Sequence, residues 1–330
     1  MQIGHRRKTD YLLHLCWSLP MLFVLVLTPT LLAAPQTSVH YPGQWVKISD
    51  RVYYFQRVAT SNSGAILLDD YAIIVDAGQE PLSGQDAVEK LRQVTDKPVK
   101  YLVLTHYHDD HLMSVPWFKE QGIVVVAQEE TARIIREMGH KLIDQRIKLF
   151  GQRRPELKDI LKDAVIEGPD VVFREKFTFG WGEDRVELLY FGPARTPGDL
   201  FVWLPREKAL FTGDAINGKS IQPIHYDYPN TAQWQSALET ALKLGADVYL
   251  PGHRDPFQSD TVRDIIAYYR DLRTGVQHYI DRDVPLVQIQ KEFELNNYRD
   301  WQGYEQLFEV HIMVMYRELT GLTQKFYDIK

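Results

Sequence analysis

Directly after the apolar run Tyr101-Leu102-Val103-Leu104 the chain reads THYHDDH, crowding three histidines and two aspartates into the six positions 106 to 111. Imidazoles and carboxylates at this density are costly to bury unless a cation shares them. The apolar run makes the string the continuation of a buried strand, and the C-terminal end of such a strand is where α/β folds place their chemistry. Alternate side chains on an extended loop point the same way. His106 and His108 can therefore share one ion while Asp110 and His111 turn toward a neighbouring one. The string predicts a metal centre with two half-sites at the edge of a sheet.

The flanking sequence supplies that sheet. From about Trp45 the pattern is strands, and in SGAILLDDYAIIVDAG two apolar runs separated by Asp69-Asp70 read as a hairpin. Ala87, Val88, Leu91 and Val94 recur at helical spacing, LMSVPWFKEQG reads as helix, and IVVVA as a buried strand, giving β-α-β-α-β order. Residues 129–168 are charged and helical with no strand pattern, an insertion beside the core. Its arginines 133, 136, 146, 153 and 154 are expected on a solvated face, with a substrate lid as the alternative. Strand signals resume with VVFREKFTFGW, RVELLYFG, LFVWLP and ALFTGD. A helix over 231–244, the strand Val248-Tyr249-Leu250 and the turn Pro251-Gly252-His253 follow, and from Ser259 onward the chain reads as helices. No internal repeat suggests a solenoid.

With 330 residues, 45% of them hydrophobic, the chain can bury a sizeable core. Its net charge of −6 offers no basic face for nucleic acid, so a small-molecule substrate is the expected partner. Residues 1–34 read as a signal peptide: basic His5-Arg6-Arg7-Lys8, an apolar stretch from about Leu19 to Leu32, then Ala33-Ala34. Export to the periplasm or medium is the expectation, and a retained N-terminal anchor would be the sole membrane contact. Cys16, the only cysteine, lies inside this segment, so the mature chain has neither disulfide nor thiol nucleophile.

Beyond the histidine string, four further stretches carry a family pattern. IIVDAG with Asp76, THYHDDH, GPARTPGDL, FTGDAI with Asp214 and LPGHRD with His253 run in the order of the five motifs of the metallo-β-lactamase-fold hydrolase superfamily, which the chain resembles from about 45 to 258. The helical stretch 259–330 resembles extensions of exported members. The resemblance implies an α/β fold, an αββα sandwich of two facing sheets with helices outside, and one or two zinc ions in a cleft at one edge. It further implies that His106 and His108 bind a first zinc, that Asp110, His111 and His253 bind a second, that Asp214 bridges them, and that Asp76 orients the cluster. Family members that degrade antibiotics usually lack an aspartate at the bridging position, whereas thioesterase-like and lactonase-like members have it. Asp214 thus points toward ester, thioester or lactone hydrolysis.

One position departs from the pattern: Arg195 stands where the third motif normally carries a histidine. A guanidinium has no lone pair to give and keeps its proton. Three outcomes follow. A single zinc could occupy the second site, with Asp110 and Arg195 serving catalysis and Arg195 gripping an oxyanion or a substrate carboxylate or phosphate. Two metals could bind with Arg195 swung aside and water or a nearby side chain completing the first site, His225 being the histidine candidate. The chain could instead have lost hydrolysis and persist as a binding or accessory protein. Elsewhere, His140 and His278 read as solvated, His311 as a packed core residue, and His40 as part of the N-terminal tail.

Overall fold

The computed structural model describes residues 43–57, 60–224 and 230–322. The expected signal peptide with Cys16, and His40 and His225, lie outside the described residues. Seven strands form the first sheet in sequence order: β1 (Gly43–Lys47), β2 (Val52–Arg57), β3 (Ser63–Leu67), β4 (Ala72–Val75), β5 (Val99–Leu104), β6 (Val124–Gln128) and β7 (Val171–Phe173). It begins antiparallel through the β3–β4 hairpin and turns parallel from β4 onward. β8 (Lys176–Phe179), β9 (Val186–Leu189), β10 (Phe201–Leu204), β11 (Ala209–Gly213) and β12 (Val248–Pro251) form the second sheet, with only β11–β12 parallel. The stretch VVFREKFTFGW therefore breaks into two strands at Arg174-Glu175, where the chain leaves one sheet for the other.

Strand alternation builds three layers of core from these two sheets. Ile66, Ile73, Val103, Val202 and Leu204 point into the space between the sheets, where they meet Phe211 and Leu250. Their neighbours Ala65, Ile74, Leu102 and Leu104 point outward from the first sheet, against α1 (Ser83–Leu91), α3 (Val115–Glu120) and α4 (Glu129–Phe150). Phe201 and Trp203 point outward from the second sheet, against α6 (Thr231–Lys243), α7 (Ser259–Ile280) and α9 (Tyr304–Leu319). The order helix, sheet, sheet, helix is the expected αββα sandwich.

Between α4 and β7 the insertion adds α5 (Leu157–Leu161), and between α7 and α9 lies α8 (Leu286–Glu292). The C-terminal helices are part of the outer layer. Val262, Leu272, Val276, Ile312 and Met315 are wholly buried there, on the order of 10 kcal/mol of gross hydrophobic stabilisation. Among the described residues no helix is long and apolar enough to cross a membrane.

Candidate metal centre

Four strand ends meet at one rim of the sandwich: β4 runs out into Asp76, β5 into Thr105–His111, β11 into Asp214 and β12 into Gly252-His253. The β11–β12 register slips between Phe211 and Gly213, a bulge that re-aims the chain just before Asp214. Two glycines permit the convergence. A Cβ on Gly252 would lie 2.3 Å from Asp214 Oδ1, and one on Gly213 (φ +48°) would lie 2.5 Å from Thr105 Oγ1.

Asp76, itself in the left-handed region at φ 62°, organises the histidines from below. Its Oδ1 accepts the Thr105 N–H at 2.8 Å, and its Oδ2 accepts the Thr105 hydroxyl at 2.8 Å. With that hydroxyl proton committed to Asp76, the 3.0 Å contact between Thr105 Oγ1 and His106 Nδ1 requires the histidine to donate. His111 Nδ1 faces Asp76 Oδ2 directly at 2.9 Å. Both rings are thereby held with Nδ1 as the donor to this support and Nε2 turned toward the centre.

The second group of residues expected from the sequence comes together closely. His111 Nε2 lies 3.4 Å from His253 Nε2, 3.7 Å from Asp110 Oδ2 and 3.3 Å from Asp214 Oδ1. His253 Nε2 lies 3.1 Å from Asp110 Oδ2 and 3.4 Å from Asp214 Oδ1. A tetrahedral ion bonded at about 2.1 Å separates its ligands by about 3.4 Å. Five of the six edges of such a tetrahedron are thus drawn by these side chains alone. Asp214 Oδ1, enclosed at its apex, accepts no hydrogen bond. The donor set of two imidazoles and two carboxylates fits a divalent ion such as zinc.

The first group also converges, but a cation of the chain has entered it. His106 Nε2 and His108 Nδ1 are 2.9 Å apart, and Asp214 Oδ2 is 3.7 and 3.9 Å from them. Arg195 Nη1 bonds this same Asp214 Oδ2 and lies 3.3 Å from His108 Nδ1. A turn closed by the Thr196 N–H donating to buried Asp199 holds Arg195 there, and burial raises the Asp199 carboxyl to about 7.

Electrostatics separates the two halves. Burial would lower His111, but Asp110, Asp214 and Asp76 outweigh it and raise the imidazole well above its usual value. Burial acts the same way on His253, and Asp214 and Asp110 raise it to about 9. Burial would raise the Asp214 carboxyl, yet His253, Arg195 and His111 hold it well below the usual carboxylate range. In the first half, burial followed by His111 and His108 keeps His106 well below the usual imidazole value, and burial with Arg195 lowers His108. Carboxylates that pull protons onto their histidine neighbours are short of positive charge, and a divalent cation would meet that need. The first half has Arg195 instead.

Arg146 is a correction to the sequence reading. It is 6% exposed rather than solvated, and from α4 it donates to Asp109 Oδ2 at 2.6 Å and Gln79 Oε1 at 2.9 Å. It thus grips the neighbour of Asp110 and the loop that follows Asp76. The signal was present: Ile135, Gly139, Leu142 and Arg146 recur at one helical face, and all four are buried. His140 and His278 are exposed, and His311 is buried, accepting from Tyr268 Oη at 2.8 Å and donating to the Gln222 carbonyl.

Comparison with known proteins bears on the family and the fold. A linear primary-alkylsulfatase of Pseudomonas sp. (strain ATCC 19151) is 23% identical over 232 residues, 60% of this chain and 44% of that protein. The chain thus spans under half of that relative's length. A type 2 metallo-beta-lactamase of Bacillus sp. (strain 170) is 24% identical over 206 residues, 61% of this chain and 69% of that protein. Among solved structures, DIM-1 metallo-beta-lactamase superposes with a TM-score of 0.56 at 19% identity, covering 70% of this chain and 99% of that one. A metallo-beta-lactamase from Pontibacter korlensis gives 0.52 at 21% identity, covering 69% and 99%. At these identities the structures establish the fold alone. The family model of the metallo-beta-lactamase superfamily matches residues 57–253, a span reaching from the end of β2 to the last histidine of the centre. The chain belongs to the metallo-beta-lactamase superfamily.

Proposed function

We propose that this chain is an exported hydrolase that works with a single zinc ion held by Asp110, His111, His253 and Asp214, and that Arg195 replaces the first ion. The observation that carries the reading is the set of five ligand separations between 3.1 and 3.7 Å. When bound, zinc supplies Lewis acidity, enough to make water a nucleophile near neutral pH. The chain supplies the rest. His106, neutral and fixed through Thr105, keeps an unprotonated Nε2 beside His108 Nδ1, and that nitrogen can take a proton from the attacking water. Arg195 balances Asp214 through Nη1, and its Nη2 carries no hydrogen bond among the described residues, leaving two N–H groups for a developing oxyanion. The reaction class is opening of an ester, thioester or lactone, favoured over a β-lactam because Asp214 occupies the bridging position.

Metal analysis of the purified mature protein tests this. One zinc per chain is expected. Arg195→His restores a donor to the first group and is expected to raise the content to two. No zinc after incubation and dialysis would instead identify a binding or accessory protein. A panel of ester, thioester, lactone and phosphodiester substrates, with a chromogenic β-lactam as comparison, then ranks the bonds cleaved.

A further inference from the structure

Above the centre opens a cavity of about 850 Å³ whose charged lining comprises Arg57, Arg195, Asp214, His253, Arg254 and Asp255. Three arginines face two aspartates there, although the chain as a whole carries −6. Asp214 is taken up by Arg195, and Asp255 is bonded to Gln56 Nε2 rather than to a cation. Arg57 and Arg254 therefore have no carboxylate within ion-pairing distance among the described residues; Asp86, itself paired with Lys90, acts on Arg57 only from farther away.

Arg57 is the more telling of the two. Only 7% exposed, it donates Nη1 to the Ser61 carbonyl at 3.2 Å and to Ser63 Oγ at 2.9 Å, and Nη2 to the Ser83 carbonyl at 3.0 Å. Its guanidinium also lies 4.5 Å from the centre of the Phe55 ring. Neutral dipoles take three of its five N–H groups and leave its charge without an ion pair in a buried wall, where charges are ordinarily paired. Arg146, equally buried, does have its aspartate. Arg254 sits at φ 72°, a conformation kept only where the surroundings impose it. Its carbonyl is pinned by Tyr54 Oη at 2.8 Å and Asn62 Nδ2 at 2.9 Å, and its Nη1 reaches Gln302 of the C-terminal extension. The same Asn62 accepts the Arg57 backbone N–H at 3.1 Å, so one buried amide ties both arginines to one wall.

From this juxtaposition we infer that the cavity receives a substrate bearing an oxyanionic group, a carboxylate, sulfate or phosphate apart from the bond cleaved, and that Arg254, backed by the charge of Arg57, binds it. The inference rests on the hydrolase reading for what happens to the substrate, but not for the binding of the anion.

The two are separated by titrating the full chain, first stripped of metal by chelation, with inorganic sulfate and inorganic phosphate in a calorimeter. Saturable binding is expected, weakened about tenfold by Arg254→Gln and largely restored by Arg254→Lys. No binding, or equal affinity in wild type and Arg254→Gln, would overturn the inference. With zinc restored, 4-nitrophenyl hemisuccinate is expected to show a higher kcat/KM than 4-nitrophenyl acetate, and Arg254→Gln to erase the difference. Hydrolysis of both esters without preference would refute the anionic subsite while leaving the hydrolase reading intact. Arg254-dependent sulfate binding in a protein that takes up no zinc would do the reverse.

Discussion

Asp76 touches no substrate and, buried beneath the centre, is the residue on which ligand geometry turns. Its two oxygens set the protonation of His111 directly and of His106 through Thr105. Asp76→Asn keeps the shape but removes the negative charge and puts a donor where His111 Nδ1–H must donate. We expect zinc affinity to fall by about 10- to 100-fold, as measured by competition with a chromophoric chelator, with the far-ultraviolet dichroism unchanged. At this scale Arg195 shows how a ligand position can be inverted: a side chain that cannot bind metal donates to the carboxylate a first ion would have bridged. The guanidinium brings one positive charge and no Lewis acidity.

At the scale of elements, helix α4 acts as a clamp on the centre. Arg146 holds Asp109, and after α4 Arg154 holds Glu80 at 3.1 Å, so the insertion grips both the histidine loop and the loop that follows Asp76. Arg146→Met fills similar volume but strands the half-buried Asp109 carboxylate, whose pKa burial already raises. Breaking a fully buried pair from one side costs about 3–5 kcal/mol, and this half-buried one costs less. We expect a lower melting temperature in both metal-free and zinc-loaded protein, and weaker zinc binding because Asp110 is the next residue. Asp109→Asn combined with Arg146→Met removes the stranded charge and should recover most of the melting temperature. Loss of melting temperature with unaltered zinc affinity would show that the clamp serves stability alone.

On the scale of the whole molecule, the C-terminal helices are joined to the loop that follows β11 by a buried histidine. His311 of α9 bridges Tyr268 of α7 and the Gln222 carbonyl beside the cavity, and burial lowers it to about 4. Above pH 6.5 it is neutral in both folded and unfolded chains and adds no pH dependence. Between 6.5 and 4 the unfolded chain takes up the proton and the folded one does not, so stability falls with falling pH, by up to about 3 kcal/mol from this group. Urea titrations of wild type and His311→Gln are expected to converge in slope above pH 6.5, with the wild type losing more stability below it. The match between sequence and structure divides along physical lines. Strand alternation and helical spacing are properties of neighbouring residues, so the β-α-β order, the β3–β4 hairpin and the burial of His311 were legible along the chain, whereas the two-sheet sandwich was implied by the family motifs. The donor groups of the histidine string were legible too, because lone pairs on imidazole and carboxylate are properties of residue type, while Asp214 and His253 entered as candidates through those motifs. What the sequence by itself determined was therefore which groups are available and which way each strand faces. Tertiary structure alone decided which charges meet: Arg195 with Asp214, Arg146 with Asp109, and Arg57 and Arg254 with no ion-paired carboxylate among the described residues. Those pairings depend on distances between residues far apart in the chain, and a Coulomb energy is fixed by separation and burial, neither of which local pattern specifies.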